Sequence, residues 1–196
     1  MTKSWPMWLG LALGLGAVAL GFTMGGDLQE QWRLATRYTA RVGFPLLILA
    51  YVARPLQQLG PGPMPKFLLS RRKWIGLGFA FSHTIHLVAI VMLYRLLDEA
   101  PSRVTLVGGG FGYVLLWAMA LTSNTAAMKR LGNGWKRLHR FGIHYLWLIF
   151  AQSYLGRIFD PETLIVGLLG GGIALLAAAL RFAAWQKFKV RLNVRE

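Results

Sequence analysis

The sequence predicts an all-α integral membrane protein, a six-helix bundle with both termini cytoplasmic. Three observations carry this expectation: apolar runs recur at bilayer-crossing length, the composition is too hydrophobic for a soluble domain of this size, and the charges are sorted between alternate loops. Hydrophobic residues make up 55% of the 196, and the mean hydropathy is +0.46. A chain of that composition reads as membrane-embedded, here as one domain over residues 1–196.

The first apolar span is Met7 to Met24, MWLGLALGLGAVALGFTM. It follows a head with Lys3 as its only cation, and no Ala-x-Ala site comes after it, so it reads as a mature helix and not as a cleaved signal peptide. The polar stretch GGDLQEQWR leads to a second, shorter span over residues 38–53, in which Pro45 predicts a kink and Arg41 reaches toward the nearer interface. Pro55, Pro61, Pro63 and Pro65 then mark a long loop between Arg54 and Lys73. The third span, residues 74–97, carries no formal charge from Trp74 to Tyr94 and is long enough to cross about 30 Å of hydrocarbon.

Residues 104–124 form the fourth span, opened by Gly108, Gly109 and Gly110, with Gly112 close behind; small residues there let a neighbouring backbone or a flat ligand approach. A loop through Arg137 leads to the fifth span, residues 138–158. The sixth runs over residues 164–182, with Gly170 to Gly172 serving helix packing.

Charge fixes the orientation. With 22 Lys and Arg against 7 Asp and Glu, the net charge is +15. If the spans alternate, the clusters at Arg71–Lys73, Lys129–Arg130, Lys136–Arg140 and the basic tail share one side, which the positive-inside rule makes cytoplasmic. Asp27, Glu30, Asp98, Glu99, Asp160 and Glu162 share the other. The basic runs are therefore topology signals and contacts to anionic lipid, and nucleic acid is not an expected partner. The expected location is a membrane whose basic side faces the cytoplasm.

Cysteine is absent, which excludes disulfides, thiolate metal sites and cysteine-held iron–sulfur clusters. The four histidines lie on two spans. His83 and His86, three residues apart, sit about 60° from each other on one helix face near mid-bilayer, where an ionisable group is costly and suggests a function. His139 marks the inner edge of the fifth span, and His144 lies about 7 Å further in. Each is either satisfied by a neighbouring carbonyl, Ser or Gln, or is a ligand to a metal or haem. His139 has the further alternative of joining the interfacial basic cluster. Phe79, Phe81, Trp117, Tyr145, Trp147 and Phe150 are available as apolar walls.

RRKWIGLGFAFSHTIH, then LTSN followed by MKRLG, then WKRLHRFGIHYLW, in that order, resemble the ferric-reductase-like transmembrane domain family over roughly residues 35–160. The likeness is greatest to its small bacterial haem-binding subunits, which serve a periplasmic methionine sulfoxide reductase. The resemblance implies six helices around b-type haem, with His86 and His139 as metal ligands and a further histidine thirteen residues beyond His139. Gln152 stands at that position. His86 or His83 is then a candidate to pair with a displaced His144, and Arg72, Trp117, Trp135, Tyr145 and Gln152 are candidates for the rest of the cofactor site. Alternatively, His86 alone holds a five-coordinate haem, or haem is lost and the frame is structural.

The function expected on this basis is electron transfer: a quinol or a reduced flavin reduces the haem, which passes electrons across the membrane to a redox partner protein. No GxGxxG fingerprint follows a strand, so a nicotinamide or flavin domain is not expected in this chain. The rivals are a non-redox assembly subunit of a larger membrane complex, which would show no haem absorption, and a small transporter, for which the chain lacks paired intramembrane charges and a broken midplane helix.

Overall fold

The computed structural model describes residues 3–98 and 100–193, and the side chains through Lys189. Glu99, Arg195 and the side chain of Arg191, all counted in the charge sorting, lie outside the described residues. Within them the protein is all-helical: α1 (Trp5–Met24), α2 (Leu28–Leu59), α3 (Pro63–Leu97), a π turn (Thr105–Gly109) running into α4 (Gly110–Leu121), α5 (Thr125–Leu131), α6 (Asn133–Gly156), a 3-10 turn (Arg157–Phe159) and α7 (Leu164–Asn193).

Four of these helices, α1, α2, α3 and α7, are long and apolar enough to cross a membrane; a fifth span results if the bent pair Thr105–Leu121 and Thr125–Leu131, at 108°, counts as one. Expected as a full span, α6 falls short by composition, because Lys136, Arg137, His139, Arg140, His144 and Gln152 interrupt its apolar residues. Large hydrophobics such as Leu13, Val88, Leu169 and Leu176 are exposed. Such a surface suits lipid, where apolar side chains need no cover.

The helices are longer than their apolar runs. The stretch expected to be a loop after Arg54 is helical except for a turn at residues 60–62: α2 passes through Pro55 to Leu59, and α3 begins at Pro63. Pro63 and Pro65 fall in the first turn of α3, where backbone N–H groups have no intrahelical acceptor and a proline costs little. The polar stretch after Met24 is likewise mostly helix, because Asp27 caps α2 by accepting from the Glu30 backbone N–H at 2.7 Å. The loop expected before Leu138 holds α5 and the first turn of α6, separated by Gly132 at φ 49°, a left-handed backbone that favours glycine. Beyond Phe182, α7 runs on to Asn193. At about 1.5 Å per residue, α2 and α3 are each roughly 50 Å long, well beyond the hydrocarbon thickness.

At the centre, α2 packs against α1, α3, α6 and α7. The buried face of α1 is Gly10, Gly14, Ala17 and Gly21. A Cβ at Gly10 would stand 2.5 Å from the Gly78 carbonyl oxygen, and one at Gly21 would stand 2.5 Å from the Ala35 nitrogen. Backbone therefore meets backbone along this seam. Gly170 receives the ring of Tyr154 and Gly171 meets Leu155, as the packing expectation requires, whereas a Cβ at Gly172 would meet nothing within 4 Å. The core joins Phe44, Leu47 and Tyr51 of α2, Phe79 of α3, Leu116 of α4, and Leu146 and Phe150 of α6.

Candidate cofactor cavity

At the end of the bundle where α3 carries Arg71–Lys73, a cavity of about 530 Å³ lies among α2, α3, α4 and α6, within the roughly 300–1,000 Å³ usual for cofactor sites. Its apolar walls include Leu47, Phe79, Ala80, Leu116, Ile143 and Leu146. Arg54, Arg72, Lys73, Lys136, Arg140 and Arg181 also line it, and among the described residues no carboxylate does. Two of these cations are fixed: Arg72 Nε donates to the Ala50 carbonyl at 2.8 Å, and Arg181 to the Tyr51 carbonyl at 3.0 Å. Unopposed cations beside an apolar slot attract a flat, apolar group with an anionic edge.

One imidazole reaches this cavity, that of His139. Trp135, one turn earlier on α6, stacks on it with centroids 4.2 Å apart, and its indole N–H donates to the Thr122 carbonyl at 2.9 Å. His139 Nε2 lies 3.2 Å from Thr122 Oγ1. The Thr122 hydroxyl donates to the Ala118 carbonyl at 2.7 Å, so it meets Nε2 as an acceptor, and the Nε2–H donates. The lone pair of Nδ1 is then available for a metal. An imidazole whose second ring nitrogen is held by a protein acceptor is the usual arrangement of a metal-ligating histidine.

The other histidines are held elsewhere. His86 is buried on α3, with Nδ1 2.9 Å from Thr39 Oγ1 of α2. His83 is enclosed by rings: His86 at 4.7 Å, Phe79 at 5.1 Å, Phe150 at 5.2 Å and Tyr113 at 5.3 Å. Neither lines the cavity. His144 faces α2, with Nδ1 3.1 Å from the Tyr51 hydroxyl. Among the described residues no three His, Asp or Glu side chains cluster as a metal site.

Of the other sequence-derived candidates, Arg72 and Trp135 line the cavity, whereas Trp117, Tyr145 and Gln152 do not. Trp117 donates to Thr84 Oγ1 at 3.1 Å, and the Tyr145 hydroxyl donates to the Gly108 carbonyl of the π turn at 2.9 Å. Gln152 is exposed, while Phe150, two residues before it, reaches His83. Phe79 is a wall of the cavity and Phe150 is not.

A haem fits the cavity on the chemistry of its lining: one imidazole with a free ring nitrogen, apolar walls, and fixed arginines for two carboxylates. Between His86 and α6 stand the rings of His83 and Phe150, with centroids 5.2 Å apart, and His83 Nδ1 is buried there without a hydrogen-bond partner. Sequence reading missed Thr122, Arg54, Arg181 and Gly76. A signal was present for Thr122, inside the quoted LTSN, and for Arg181, the first cation after a long apolar run.

Comparison with known proteins gives a consistent picture. Residues 39–151 match the family described as ferric reductase like transmembrane component. A protein named protein-methionine-sulfoxide reductase heme-binding subunit MsrQ, from Pectobacterium carotovorum subsp. carotovorum, is 31% identical over 163 residues, covering 76% of each chain. One of the same name from Yersinia pseudotuberculosis serotype O:1b is 26% identical over 202 residues, covering 93% of each. No solved structure matches.

Proposed function

The chain belongs to the ferric reductase-like transmembrane component family, and from that membership we propose that it is a haem-containing electron-transfer subunit of a bacterial inner membrane. The cofactor is haem b, reduced by a quinol or a reduced flavin at the cytoplasmic face. The acceptor is a redox partner protein at the opposite face; the names of the relatives point to a methionine sulfoxide reductase. The observation that carries this reading is the cavity holding His139 among apolar walls and unopposed cations.

Haem bound there supplies one-electron chemistry at its iron, with a potential set by the axial ligand and by burial. His139 would hold the iron through the ring nitrogen that Thr122 does not engage, while Thr122 at Nε2 and the stacked Trp135 would fix the plane of the ring. Arg72 and Arg181, tied to backbone carbonyls, would neutralise the cofactor's carboxylates. Leu47, Leu116, Ile143 and Leu146 exclude water from the buried part. Between the cavity and the opposite end of the bundle lie the packed rings of Phe79, His83, Tyr113 and Phe150, the medium through which an electron bound for that face would tunnel.

The charge sorting supports six crossings, α6 among them, with both termini and the cavity at the cytoplasmic side. Proteoliposomes test the reading. With the full chain in the bilayer, reduced flavin outside is expected to bleach ferricyanide trapped inside, and protein-free vesicles are not. Equal rates with and without the protein would refute it.

A further inference from the structure

Electron-transfer cytochromes hold haem iron between two protein ligands, and the walls of this cavity supply only one. Among its lining residues the candidate donors besides His139 are Met119, Met128, Lys73 and Lys136, the last one turn before His139 on the same helix and so on its side of the cavity. Met119 is turned to α6, the helix of His139 itself: a Cβ at Gly142 would meet its sulfur at 2.6 Å. Met128 is 47% exposed on the short helix α5, and the Lys73 ammonium lies 4.7 Å from the ring of Trp74. On α3 the lining residues that follow Lys73 are Gly76, Leu77, Phe79 and Ala80, none of which can bind iron. A Cβ at Gly76 would meet nothing within 4 Å, so there is open space in front of it. His83 and His86 lie about one to two turns further along α3, packed against Thr39 and the ring cluster.

We propose that His139 is the sole axial donor this chain offers in the cavity, and that the α3 face at Gly76 and Ala80 leaves room for a small exogenous iron ligand, a diatomic gas or a small anion. The inference rests on the haem reading above and goes beyond it, since it assigns a ligand-binding site to a subunit otherwise read as a conduit. Charge favours an anion in particular. Among the described residues six cations and no carboxylate line the cavity, and a low-dielectric wall focuses their potential onto the space beside Gly76.

The test uses the full chain purified in detergent with its haem, with CO added to the reduced form and cyanide to the oxidised form. The expected results are a high-spin ferric EPR signal, a CO-dependent shift of the Soret band and saturable cyanide binding. His86→Ala should leave haem content and both responses unchanged. Gly76→Leu should weaken cyanide binding at least tenfold at unaltered haem content. Ala80→Val, a smaller intrusion, gives the same direction should the leucine variant fail to fold. A low-spin oxidised spectrum with no response to CO or cyanide would overturn the inference and leave the haem reading standing. A wild-type chain without haem would overturn both.

Discussion

Replacing Thr122 by Val tests how the ligand is held. The two side chains are nearly the same shape, but valine cannot accept the proton of His139 Nε2, now 3.2 Å from Thr122 Oγ1. Little else should change. The Ala118 carbonyl that receives the hydroxyl also accepts from the Thr122 backbone N–H at 3.1 Å, and the Trp135 indole bonds to the Thr122 carbonyl, which valine keeps. Loss of such a partner typically lowers metal-site affinity 10–100-fold. Stacking of Trp135 at 4.2 Å still orients the ring, so the lower end is expected, about tenfold or roughly 1.4 kcal/mol. The imidazole also becomes a poorer electron donor, which stabilises the ferric state less and raises the midpoint potential. Haem titration of the stripped protein and a spectroelectrochemical midpoint measure both effects, with Thr122→Ser as the control that restores them. If Val, Ser and wild type share one affinity and one potential, Thr122 does not hold the ligand.

Two further predictions concern packing and the histidine outside the cavity. A side chain at Gly78 would push on the Pro6 carbonyl oxygen, 2.5 Å from its Cβ, so Gly78→Leu should separate α1 from α3 and lower stability by at least the ~1–3 kcal/mol of ordinary overpacking, read as a lower melting temperature in detergent; an unchanged melt would refute the seam. His144→Phe should leave the Soret band and its intensity intact while costing about 1 kcal/mol for the lost Tyr51 partner; loss of haem in this variant would move the ligand to the α2–α7 side.

What was legible in the sequence, and what was not, follows from the kind of signal each residue gives. Apolar run length marked where lipid would be but under-read the helices, because α2 and α3 continue past the hydrocarbon, where Arg, Pro and Gln are tolerated at exposed ends. Pro63 and Pro65 read as loop residues and are a helix start. His139, Arg72 and Trp135 were visible inside short motifs and do line one cavity. The height match between His86 and the region of Gln152 was visible too, since Phe150 meets His83. Which way each side chain turns was not: a shift of two residues on α6 separates a buried Phe150 from an exposed Gln152. Arg54 of α2 and Arg181 of α7 are distant in sequence, and only the packing of α7 on α2 brings them to the same cavity.

The central claim is that His139 binds haem at the basic end of the bundle. The most direct measurement is the reduced-minus-oxidised spectrum of the purified chain beside that of His139→Ala, with haem counted per chain by the pyridine haemochrome and folding followed by thermal melting. The account predicts a b-type spectrum in the wild type and its loss in a variant that still melts cooperatively. A colourless wild type, or a folded His139→Ala variant that retains its full haem complement, would contradict it.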